Sequence, residues 1–130
     1  MTLIISVSGV RGIVGRGLTP QEACDFGCAF GTWLGGGRVV IGRDTRPSGE
    51  MLRNAVVAGL TATGCEVIDL GIVSTPGTAL MTRDLFAAGG VVVSASHNPP
   101  EWNGIKFLAA EGWAAPPGTI ERLREIYESK

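Results

Sequence analysis

Residues 89–109 read GGVVVSASHNPPEWNGIKFLA. Two glycines lead into Val91-Val92-Val93, and Gly104–Ala109 (GIKFLA) resumes the apolar pattern after a polar, proline-broken interval. Valine, isoleucine and phenylalanine suit a pleated, packed surface, so the stretch predicts strand, turn, strand, with the first strand over Val91–Ser94. Neither run alternates apolar with polar. A strand that is apolar throughout needs cover on both faces, which points to helices above and below a sheet.

The same reading extends outward. Arg38–Gly42 (RVVIG) and Cys65–Leu70 (CEVIDL) are further buried strands. Thr19-Pro20-Gln21-Glu22 carries a cap, a proline at the first helical position and a glutamate three residues after the cap, and Gly35-Gly36-Gly37 stops the helix that follows. Ser48 is the expected cap of a second helix that ends near Gly64. Thr75-Pro76 opens a third, running to about Leu85, and Thr119 caps a fourth through Tyr127. Helices alternating with apolar strands predict a three-layer α/β/α domain, with a mixed, mostly parallel four-stranded sheet.

Composition narrows the partners. A net charge of −1 over 130 residues argues against nucleic acid or an anionic membrane as the main partner. No apolar run approaches the ~18 residues of a membrane span. Three cysteines form no disulfide framework and suit a reducing compartment, so cytoplasm is the expected location. Cys24 and Cys28 share a helix face, but two further metal ligands are lacking nearby, and both read as small buried hydrophobes.

In a parallel sheet, ligands bind beyond the carboxyl ends of the strands. Three strands end in polar sequence: Arg43-Asp44-Thr45-Arg46, Gly71-Ile72-Val73-Ser74-Thr75 and Ser94–Asn98. A fourth segment, Ser8–Gly15, sets Arg11 among glycines, whose backbone can turn N–H groups towards an anion. Arg11, Arg43, Arg46 and Lys106 thus form a cationic set around Ser96, which suits phosphate chemistry. Taken singly, each piece also has a plain reading: Ser96-His97-Asn98-Pro99 as a turn, Arg43-Asp44 as a surface ion pair. The P-loop, the dinucleotide-binding glycine pattern and the nucleophile elbow are all missing.

Five motifs in order, SGVRGIVG (8–15), LTP (18–20), VVIGRDTRPSG (39–49), GIVSTP (71–76) and SASHNPPEWNGIKF (94–107), resemble the N-terminal domain of the α-D-phosphohexomutases. These include phosphoglucomutase, phosphomannomutase and phosphoglucosamine mutase. The resemblance covers essentially the whole chain. It implies that Ser96 is phosphorylated and passes its phosphoryl group to a hexose phosphate, with His97 and Lys106 flanking that group. It makes Arg11 and Lys106 the candidates for proton transfer and charge stabilisation, and gives Arg43, Asp44 and Asn98 a supporting role around the loop. Mg²⁺ held partly by a phosphoserine oxygen is implied too, as is a hexose bisphosphate that phosphorylates the serine.

Ile5-Ser6-Val7-Ser8 stands where the family usually has Phe-Gly-Thr. The family's Asp-Gly-Asp metal loop, its Gly-Glu-x-Ser sugar loop and its last, phosphate-binding domain do not occur in these residues. Residues 1–130 are therefore expected to form a first, phosphoserine-bearing domain that needs the parent's remaining domains for turnover. The alternative kept open is a module that holds a phosphosugar or another anion without transferring a phosphoryl group.

Overall fold

A computed structural model describes residues 3–6, 9–96, 98–116 and 118–129. The elements follow one another as β1 (Ile4–Ile5), β2 (Gly9–Ile13), α1 (Pro20–Leu34), β3 (Gly37–Arg43), α2 (Gly49–Ala62), β4 (Cys65–Ile72), α3 (Thr75–Asp84), β5 (Gly89–Val93), β6 (Trp102–Ala109) and α4 (Thr119–Glu128). The expected capping box opens α1: the Glu22 amide donates to Thr19 Oγ1 at 3.4 Å and the Thr19 amide to Glu22 Oε2 at 3.3 Å. Gly35, at φ +77°, closes that helix in the left-handed conformation that glycine adopts most readily.

Two caps differ from expectation. The side chain of Ser48 makes no cap bond to α2; its Oγ accepts instead from Asn103 Nδ2 at 2.9 Å. Thr119 lies inside α4, whose N-cap is Gly118 at φ +94°. A hydroxyl next to a glycine reads as a cap in sequence, but the glycine alone tolerates the backbone required there.

The sheet order is β1-β2-β6-β5-β3-β4. β3 pairs in parallel with β4 and β5, whereas β5–β6, β6–β2 and β2–β1 are antiparallel. The expectation of four mostly parallel strands is corrected on both counts. The two additional strands are β1 and β2, and β2 falls in the segment whose glycines read as a loop. Glycine weakens a strand in general, yet it permits close backbone approach. A Cβ at Gly9 would run into the Ile105 carbonyl of β6.

Three layers follow from which side chains the strands send to each face. Val39, Ile41, Val91, Val93, Ile105 and Phe107 join Phe26 and Phe30 of α1, Val56 and Leu60 of α2 and Leu123 of α4 in one core. Tyr127 stacks on Phe26 with ring centroids 4.4 Å apart, which docks α4 on α1. On the opposite face α3 lies over glycines. Thr78 and Thr82, fully buried, face Gly42 and Gly90, and their hydroxyls donate back to Ser74 O at 3.0 Å and Thr78 O at 2.8 Å. The helix therefore sits close to the sheet without an unpaired hydroxyl on either threonine.

Cys24 and Cys28 are half-buried on α1 and Cys65 is buried. Burial pushes the Cys28 and Cys65 thiols up from their usual range, and Cys24 adds to the effect at Cys28. Among the described residues no group of three or more His, Cys, Asp or Glu could hold a metal ion. No helix there is long and apolar enough to cross a membrane.

α1 and α2 meet through glycine. A Cβ at Gly59 would collide with the Cys24 carbonyl and lie 2.7 Å from the Cys28 nitrogen. Gly59→Ala should thus force the helices apart and cost about 1–3 kcal/mol, read as a lower urea midpoint with an unchanged slope. Thr61→Ala, on the exposed side of the same helix, should move stability by no more than about 0.5 kcal/mol. Equal midpoints for both variants would contradict the close contact.

Candidate active site

The site grows out of the end of β5. All five residues of that strand are buried, as is Ala95, so the chain can leave the core only where Ser96 begins to turn outward. Ser96 does so at φ +52°, a left-handed backbone that disfavours L-residues by about 1–2 kcal/mol. Local bonds shape the turn: the Ser96 amide donates to Ser94 Oγ at 3.1 Å, the Asn98 amide to Ala95 O at 3.0 Å and the Trp102 amide to Pro99 O at 2.9 Å. At the foot of the loop, Asn103 is fully buried. Its Oδ1 accepts from the Gly104 amide at 2.8 Å while its Nδ2 reaches Ser48 at the start of α2.

β6 then returns the chain beside its own turn. Lys106 Nζ donates to Ser96 Oγ at 2.7 Å. Across the β2–β6 ladder Gly9 faces Lys106 and Arg11 faces Gly104, so the two cations lie on one face, set diagonally. The glycine opposite each cation leaves that face open. A Cβ at Gly104 would press on the Ser94 and Val10 carbonyls at 2.8 and 2.9 Å. Ser6, Arg11, Ser94, Ser96 and Lys106 line a cleft of about 220 Å³. Among the described residues neither Arg11 nor Lys106 enters an ion pair. The hollow consequently presents two uncommitted positive charges and one hydroxyl, a setting that attracts an anion.

Arg46, counted from sequence among the phosphate cations, is engaged elsewhere. Its Nη2 donates to the carbonyls of Ser96 (2.9 Å) and Asn98 (2.7 Å), its Nη1 to those of Pro99 (2.7 Å) and Trp102 (3.0 Å). Asp44 completes the set, accepting from Arg46 Nε at 3.2 Å and from the Arg46 amide at 3.1 Å. The Asp44 amide itself donates to Val93 O, tying the ends of β3 and β5 together. Pro99 and Pro100 have no N–H to offer, so this loop holds more carbonyls than local donors, and a guanidinium fork makes up the deficit. The shortage of donors is visible in the sequence as the two prolines; that Arg46 is the residue that meets it is shown only by the fold.

Of the expected residues, Ser96, Lys106 and Arg11 share the cleft. Asp44 and Asn98 line the groove on the other side of the serine. Arg43 lies beside Gly49 at the start of α2, and its Nε is buried without a hydrogen-bond partner among the described residues. The contacts to the loop that the sequence suggested for Arg43 are made by Arg46. His97, Ser8 and Val7 lie outside the described residues. Asn103 and Ser48, which join the foot of the loop to α2, were not anticipated as site residues.

Residues 3–130 match the family model described as phosphoglucomutase/phosphomannomutase, alpha/beta/alpha domain I. The chain is 51% identical over 135 residues to a phosphoglucomutase/phosphomannomutase of Thermococcus kodakarensis, and 45% identical over 134 residues to a phosphoglucosamine mutase of a Thermoanaerobacter species. In both cases the match takes in 100% of this chain and 30% of the relative. A crystal structure of a phosphoglucomutase/phosphomannomutase family protein from Burkholderia thailandensis superimposes with a TM-score of 0.85 at 32% identity, over 97% of this chain and 31% of that one. The chain thus spans about 30% of the length of the proteins it matches. The motifs around Ser96, the layered sheet and the match across residues 3–130 lead to one conclusion: this chain belongs to the phosphoglucomutase/phosphomannomutase family, as its α/β/α domain I.

Proposed function

We propose that Ser96 is the phosphoryl carrier of a hexose phosphomutase, and that Lys106 and Arg11 supply the charge that makes the transfer possible. The observation that carries this reading is the 2.7 Å approach of Lys106 Nζ to Ser96 Oγ, in a cleft that Arg11 also lines. A phosphoserine bears about −1.5 to −2 charges near neutral pH, and a sugar phosphate brings a similar load. Two such groups approach only where cations neutralise them in advance.

In the forward half-reaction a hexose hydroxyl attacks the phosphorus on Ser96. The P–Oγ bond breaks as the new P–O bond to the sugar forms. The hydroxyl proton leaves to a base, and Ser96 Oγ, left with the electron pair, is stabilised by the Lys106 ammonium. The bisphosphorylated sugar then turns over and returns its other phosphoryl group to Ser96, so that a hexose 1-phosphate and a hexose 6-phosphate are interconverted. His97 belongs beside the transferring group on the family resemblance. The described residues do not themselves make a Mg²⁺ site: no three of their His, Cys, Asp or Glu side chains converge, and Asp44 beside the loop is tied to Arg46. A Mg²⁺ in a whole mutase would take a phosphoryl oxygen on Ser96 and draw its carboxylate ligands from outside these residues.

Incubation with a hexose 1,6-bisphosphate tests the assignment. Intact mass should rise by one phosphoryl group that maps to Ser96, and Ser96→Ala should abolish it. Binding without a mass change would favour an anion-holding module instead. Grafting residues 1–130 in place of the matching segment of the Thermococcus relative should give an active mutase, whereas the same graft with Ser96→Ala should be inactive. The 130-residue chain alone should show no mutase turnover in a coupled assay.

A second expectation concerns the cations. Inorganic phosphate titrated into the chain should shift the amide signals of Ser96, Gly104 and Lys106. Lys106→Ala should weaken that binding by about tenfold or more, the worth of one charge-assisted hydrogen bond. Unchanged affinity would remove Lys106 from the anion site.

A further inference from the structure

An arginine guanidinium has five N–H donors. In Arg46 all five are used, one on the Asp44 carboxylate and four on the carbonyls of Ser96, Asn98, Pro99 and Trp102. Its side chain is only 12% exposed, so the fork is held by packing as well as by its bonds. None of its hydrogens remains for a phosphate, which separates Arg46 from Arg11 and Lys106 in the open cleft.

We propose that Arg46 is a positioning residue for phosphoryl transfer: it fixes the left-handed backbone of Ser96 and thereby delivers Oγ to Lys106. The inference rests on the phosphoryl-carrying role proposed for Ser96. One nitrogen, Nη2, bridges the carbonyls on either side of residue 97, which sets the orientation of the Ser96 carbonyl. The amide of Ser96 is held to Ser94 Oγ. With both flanking peptide groups anchored, the residue between them keeps φ at +52° and its hydroxyl 2.7 Å from the ammonium. The acceptors in the loop are neutral carbonyls, so gain or loss of charge on Ser96 leaves the clamp's partners there as they are. The loop is in this sense organised before the reaction, at no cost in rearrangement during it. Lysine cannot take over, since three donors on a point charge do not serve four carbonyls.

The test compares the wild-type chain with Arg46→Lys and Arg46→Ala by NMR and by phosphoryl uptake from hexose 1,6-bisphosphate. In the wild type the amide–α-proton coupling of Ser96 should report the left-handed backbone, and the amides of Asn98 and Trp102, each hydrogen-bonded within the loop, should exchange slowly. In both variants the coupling should leave that range and the two amides should exchange at least tenfold faster, while core amides of β5 and β6 keep their protection. Uptake at Ser96 should fall at least tenfold, with no rescue by lysine. Wild-type coupling, loop protection or uptake in Arg46→Lys would overturn the proposal. So would equal acceleration of the core amides, which would reduce Arg46 to a global structural role. Should the wild-type chain take up no phosphoryl group, the assignment of Ser96 as carrier fails by itself, and the coupling and exchange still decide whether Arg46 sets its backbone.

Discussion

The guanidinium of Arg46 stands where strand ends and loop carbonyls would otherwise face one another without donors. A turn containing two consecutive prolines leaves carbonyls over after its own hydrogen bonds are made, because two of its residues lack an N–H. Water could satisfy those carbonyls, but it would leave the turn free to sample many shapes. A planar fork with directional donors selects one of them. From that choice follow the outward path of the chain at Ser96, the entry of Trp102 into β6 and the meeting of a hydroxyl with an ammonium on one open face.

The fold serves this arrangement through close approach. Glycines at the α1–α2 contact and under α3 let helix backbones and sheet come together, and parallel pairing makes β3, β4 and β5 end at one edge. Asp44 at the end of β3 and Ser96 just past β5 are thereby neighbours, and Arg46 needs only its own length to join them. On the other flank β2 adds to β6 and brings Arg11 to the same face as Lys106. The centre is thus assembled from three separate stretches of chain, each delivered by a strand.

Much of this was legible in the sequence, for identifiable reasons. The first helix announces itself through Thr19, Pro20 and Glu22, whose side chains and ring have local effects that tertiary packing does not override. The apolar runs at 38–42, 65–70 and 91–94 read as strands and correspond to β3, β4 and β5, and their polar ends pointed to the candidate site. Gly9–Ile13 was hidden, because strand pairing there depends on what the glycines allow a distant strand to do. Ser48 does stand at the N-cap of α2, but its hydroxyl is turned to Asn103, a partner 55 positions away that local sequence could not show. Arg46 was recognised as a cation but not as a clamp. Charge can be read from one residue; a count of carbonyls against donors requires knowing which loop it meets.

The antiparallel return of β6 has a consequence for how the centre comes into being. Ser96 and Lys106 are ten positions apart, so a short hairpin suffices to pair them, and closing so small a loop sacrifices little chain entropy. The hairpin can therefore bring the two residues near each other without help from afar, and the distant Arg46 then fixes how the hydroxyl meets the ammonium. What the long-range contact adds is permanence. The two side chains belong to one local hairpin, and the surrounding domain acts as the mould that sets it.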